Sequence, residues 1–97
     1  MPSLSTHVLD AAAGGPRPGI AVAVFDESGA VVATATTDEH GRVEHLAVLA
    51  PGSYRIRWTV GGPFLAEVTA TVTLDDDRRY HVPLLSSGSA AVVYLGA

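Results

Sequence analysis

Three residues of this 97-residue chain have the type and placing to handle water and an anion: His7, Arg42 and His81. His7 stands between Thr6 and Val8, and His81 between Tyr80 and Val82. Both lie in short runs of β-branched and apolar residues, and on a strand sequence neighbours face opposite sides. If Val8 and Val82 point into a core, both imidazoles point outward, onto the same kind of face. A neutral imidazole pair on one surface can order a water molecule and take its proton near neutral pH. Arg42 leaves a turn at Asp38-Glu39-His40-Gly41 and can supply a cation for an anionic substrate or a developing oxyanion. By composition and spacing alone, two outward histidines on strands are more often surface or interface residues than catalysts.

The rest of the chemical inventory is short. There is no Cys, hence no thiolate nucleophile, no disulfide and no Cys-type zinc site. No Gly-x-Ser-x-Gly elbow or Gly-rich phosphate loop is present. His7 and His81 could begin a zinc site, but a third ligand is not evident, so no metal is expected. His40 and His45 flank an acidic turn and read as solvated. Asp75-Asp76-Asp77 lacks the Gly and Glu of a calcium loop and reads as an acidic turn. Arg55 and Arg57 read as the solvated face of a strand.

The elements that must hold these residues are all strands. Extended runs are expected at Leu4–Asp10, Ile20–Phe25, Val31–Thr37, Arg42–Leu46, Tyr54–Val60, Val68–Leu74, Tyr80–Leu85 and Ala90–Leu95. Turn signals separate them, among them Gly14-Gly15-Pro16, Asp26-Glu27-Ser28-Gly29, Pro51-Gly52 and Gly61-Gly62-Pro63. Tyr54, Ile56, Trp58 and Val60 alternate with Arg55, Arg57 and Thr59. Val68, Ala70, Val72 and Leu74 alternate with Thr69, Thr71 and Thr73. No stretch has helical periodicity, so residues 1–97 read as one all-β sandwich domain. The last run is apolar on both faces, which predicts that another subunit covers it.

Composition narrows the function. A net charge of −4, with six Arg and no Lys scattered along the chain, argues against nucleic acid. No run approaches eighteen apolar residues, so no membrane span is expected. No basic region followed by an apolar one opens the chain, so no secretory signal is expected and the cytoplasm is the default. A chain this short buries only about 60–65% of its unfolded surface, so packing or oligomerisation must add stability.

The segments that carry His7, Arg42 and His81 also carry a family resemblance. Leu4-Ser5-Thr6-His7-Val8-Leu9-Asp10 resembles the opening signature of 5-hydroxyisourate hydrolases, the enzymatic relatives of transthyretin. Thr37-Asp38-Glu39-His40-Gly41-Arg42-Val43 resembles their middle motif, and Tyr80-His81-Val82-Pro83-Leu84-Leu85 their Tyr-His-Val-Pro-Leu-Leu segment. The resemblance implies a transthyretin-like sandwich of two four-stranded sheets, assembled as a homotetramer with sites where dimers meet. It implies opening of the 5-hydroxyisourate ring in purine breakdown with water and no cofactor, and a small-molecule substrate. His7 and His81 would position and deprotonate the water, Arg42 would bind substrate and stabilise the anion, and Tyr94 and Gly96 would join the substrate-binding set.

Two departures accompany it. Where the family usually ends Tyr-Arg-Gly-Ser, this chain has Tyr94-Leu95-Gly96-Ala97, losing a cation and a hydroxyl, and the segment before it lacks the family's aromatics. The short helix expected after Val60 is missing or shortened to Gly61-Gly62-Pro63. Two alternatives therefore stand beside the hydrolase. One is a homologue repurposed for a different ring opening, cyclisation or hydration in another pathway, specialised-metabolite pathways included. The other is a non-catalytic ligand-binding protein, as transthyretin is.

Overall fold

Two sheets pack face to face in the computed structural model, which describes residues 1–96. The strands in chain order are β1 (Ser3–Asp10), β2 (Gly15–Pro16), β3 (Ala21–Phe25), β4 (Val31–Thr36), β5 (Arg42–Val48), β6 (Gly52–Thr59), β7 (Val68–Leu74), β8 (Arg79–Ser86) and β9 (Ala91–Val93). β1 is central to the first sheet. It pairs in parallel with β8, which pairs antiparallel with β9. Its other edge is shared by β5 and β2. The second sheet runs β4-β3-β6-β7, all antiparallel.

The all-β sandwich expected from the sequence is present, and no helix occurs among the described residues. The expectation of four strands in each sheet needs one correction: the first sheet has five. The reason is local. The Asp10 carboxylate accepts the Ala12 and Ala13 N–H groups, and Gly14 adopts a φ of +74°. The chain reverses tightly enough for Gly15 and Pro16 to pair back on Asp10 and Leu9.

Alternation decides what is buried. Tyr54, Ile56, Trp58 and Val60 lie in the core while Arg55 and Thr59 are exposed. Leu4, Val8, Val22, Val24, Val82 and Leu84 supply the rest of its centre. Burying each large apolar side chain contributes about 1.5–3 kcal/mol. Arg55 and Arg57 are more than a solvated face, since both guanidiniums stack on Phe25, at 5.6 and 4.8 Å from the ring centroid. One polar bridge crosses the core. The Thr6 hydroxyl donates to the Val82 carbonyl at 2.7 Å and accepts the Trp58 indole N–H at 3.1 Å.

The connection after Val60 is a compact turn. Gly62 N–H bonds the Leu65 carbonyl and Gly61 N–H that of Ala66. A Cβ on Gly62 would stand 2.8 Å from the Leu65 oxygen, so only glycine fits there.

Candidate active site

The parallel pairing of β1 with β8 brings two distant histidines to one surface. Ser5 is the register partner of His81, and His7 that of Pro83. His7 and His81 thus sit two positions apart on adjacent strands, facing the same way. On the other edge of β1, His7 is the direct partner of Arg42. The turn before Arg42 enforces that pairing. Asp38 Oδ1 accepts the N–H groups of His40 and Arg42, and Gly41 takes a φ of +75°. Gly41 also lies against β1, where its carbonyl accepts the Val8 N–H at 2.7 Å.

Each imidazole has one nitrogen committed. His7 Nε2 lies 3.0 Å from the His40 carbonyl oxygen. A carbonyl only accepts, so His7 carries its hydrogen on Nε2 and keeps Nδ1 unprotonated when neutral. His81 Nδ1 lies 2.8 Å from the Ser5 hydroxyl. Ser5 is 1% exposed, and Arg79 Nε donates to the same oxygen at 3.1 Å. Arg79 also reaches Glu44 at 3.5 Å.

Arg42, Glu44, Arg79 and His81 line an open depression of about 400 Å³, and His7 stands beside it as the partner of Arg42. Burial, first of all, holds the His81 imidazolium below its ordinary range; Arg79, Arg42 and His7 push the same way, and Glu44 opposes them. His81 is therefore neutral near pH 7 and available for proton chemistry.

The segment after β9 stays along β8, with Tyr94 N–H directed at the Pro83 carbonyl and Gly96 N–H bonded to the His81 carbonyl at 2.7 Å. A Cβ at position 96 would stand 2.8 Å from His81 Cδ2. Gly96 is thus a close wall of the His81 ring. Tyr94 is not among the residues lining the depression; with Val93 and Leu95 it borders a separate slot at the β7 and β9 edges. Ala97 lies outside the described residues.

The site contains two groups that the motifs did not single out, Ser5 and Arg79. A signal for them existed, because each stands two residues before a histidine on its own strand and so shares that histidine's face. The His40 contribution comes from its backbone carbonyl and carries no signature in sequence. Among the described residues, no group of three His, Asp or Glu side chains converges to hold a metal ion.

This arrangement on a two-sheet sandwich defines a transthyretin-type protein with a polar, histidine-bearing outer face. Residues 4–96 match the family model described as HIUase/Transthyretin family, and the chain belongs to that family. It is 33% identical to a 5-hydroxyisourate hydrolase of Caulobacter vibrioides, with all of both chains covered. Its fold superposes on a Klebsiella pneumoniae 5-hydroxyisourate hydrolase with a TM-score of 0.90, at 27% identity and full coverage of both. Sea bream transthyretin, solved with thyroxine, shares the fold at a TM-score of 0.88 and 22% identity, over 98% of this chain and 95% of that one.

Proposed function

We propose that this protein is a 5-hydroxyisourate hydrolase that opens its substrate's ring with water and without a cofactor. The observation that carries the reading is the convergence of His7, Arg42 and His81 on one face, in a chain related along its whole length to proteins of that name. The anionic heterocycle binds in the depression against the Arg42 guanidinium, with Arg79 as a second cation on its wall. The histidine pair orders a water and takes its proton as the water oxygen bonds to a ring carbonyl carbon. Arg42 stabilises the oxyanion that forms. Collapse of that intermediate breaks the carbon–nitrogen bond, and the proton held by imidazole passes to the departing nitrogen. Gly96 joins the substrate-binding set as the close wall behind the His81 ring, where a side chain would displace the imidazole.

A homotetramer with sites at the dimer–dimer interface fits the surface around the histidines. Leu85 faces Val92 across the β8–β9 pair, and both remain exposed, as does Tyr94 beyond them. An apolar patch beside a polar site suits a second copy of the chain, which would close the depression against water.

The decisive experiment follows the decay of freshly generated 5-hydroxyisourate. The protein should accelerate it, and His7→Ala should lower kcat by roughly 10²–10⁴-fold while leaving the fold intact. A well-folded protein with no effect on that decay would overturn the reading.

A further inference from the structure

The two histidines are held by different partners, and the difference assigns them different tasks. Ser5 is buried on the site face of β1, opposite His81 of β8. Its hydroxyl has two partners among the described residues, Arg79 Nε at 3.1 Å and His81 Nδ1 at 2.8 Å. A guanidinium only donates, so Arg79 occupies a lone pair of the Ser5 oxygen. The hydroxyl hydrogen must then find an acceptor, because a buried donor left unpaired is costly. Among those partners only His81 Nδ1 can accept it.

We infer that Ser5, oriented by Arg79, is a positioning residue that fixes His81 in the tautomer with its hydrogen on Nε2. With Nδ1 committed to Ser5 and Cδ2 walled by Gly96, Nε2 is the ring nitrogen left for a ligand. His81 therefore offers the depression an N–H donor, while His7, whose Nε2–H is spent on the His40 carbonyl, offers the lone pair of Nδ1. In the hydrolysis proposed above, on which this role for the pair rests, His7 takes the proton of water and His81 donates to the carbonyl oxygen as it becomes an oxyanion. No proton moves through Ser5. It sets which nitrogen of His81 is protonated, and removing the hydroxyl lets both tautomers form.

Other groups facing His81 act on its charge rather than on its tautomer. These are Arg79 on β8, Arg42 and Glu44 on β5, and His7 on β1. A variant that leaves all four in place isolates the hydroxyl, and Ser5→Ala does so with almost no change of volume.

The test is nitrogen-15 NMR of the histidine rings in the substrate-free protein, together with turnover of 5-hydroxyisourate. In the unmodified protein above pH 7, His81 should show a hydrogen on Nε2 and an unprotonated Nδ1, and His7 the same pattern. In Ser5→Ala, His81 should become a tautomer mixture that protonates at higher pH, and kcat should fall roughly ten- to a hundredfold with KM within about twofold. Ser5→Thr, which keeps a β-hydroxyl, should restore both. A His81 that carries its hydrogen on Nδ1 in the unmodified protein overturns the inference, whatever the variants do. So does a His81 signal and titration unchanged by Ser5→Ala. Because the ring signals are read without substrate, a protein inert toward 5-hydroxyisourate but showing the expected tautomers would overturn the hydrolase reading and leave the role of Ser5 standing.

Discussion

Burial and two guanidiniums leave His81 easier to keep neutral in the folded protein than in the unfolded chain. The consequence for stability has a definite sign. The unfolded chain takes up a proton at the ordinary value of 6.5, and the folded protein does so only at lower pH. This contribution is therefore fully present above about pH 6.5 and is lost as pH falls toward the lowered folded value. Asp26, Asp38 and Asp77 act in a separate window. Hydrogen bonds hold all three below their ordinary value of 3.8, so their contributions fade only in stronger acid. Urea midpoints measured from pH 8 down to pH 5 should decline, and His81→Gln should flatten that slope while sparing the drop below pH 4. An unchanged slope in the variant would mean that another group sets it.

Among the elements, the turn into β5 matters most to the site. Gly41 has a left-handed φ of +75°, and a Cβ there would meet the Val8 carbonyl oxygen at 2.5 Å and the Arg17 nitrogen at 3.0 Å. Both contacts are with backbone, which cannot swing aside. Gly41→Ala should therefore cost about 2–4 kcal/mol in chemical denaturation, combining backbone strain with displacement of β5 from β1. Activity should fall further than stability alone explains, because Arg42 is the next residue and depends on that pairing to stand beside His7. Gly14 is the control. Its φ is +74°, but a Cβ there meets nothing within 4 Å, so Gly14→Ala should cost only about 1–2 kcal/mol.

For the whole molecule, the outer face of the first sheet combines a polar half and an apolar half. His7, Arg42, Arg79 and His81 form the first, and Leu85 and Val92, register partners at 36% and 55% exposure, form the second. On the tetramer reading, that apolar half is covered by a second copy. The double variant Leu85→Glu/Val92→Glu should then sediment as a smaller species than the unmodified protein and lose turnover, with its monomer fold intact by circular dichroism. An unmodified protein that sediments as a monomer at micromolar concentration would remove the basis for that expectation.

Much of this was legible in the chain. Period-two alternation marked Tyr54 to Val60 as half core, and the Gly and Asp signals placed the hairpins, because strand faces and turn conformations are local properties. His7, Arg42 and His81 were identifiable as candidates by residue type and motif. Their neighbourhood was not. The partnership of Ser5 with His81 spans 76 positions and exists only because β1 and β8 pair in parallel at that register. The His40 carbonyl reaches His7 only because β5 pairs with the other edge of β1, and the five-stranded count depends on how tightly residues 11–14 reverse. Sequence by itself determined the eight longer strands, the core faces and the candidate side chains. Only the tertiary structure decided which nitrogen of each histidine is free, because a tautomer is set by contacts between residues far apart in the chain.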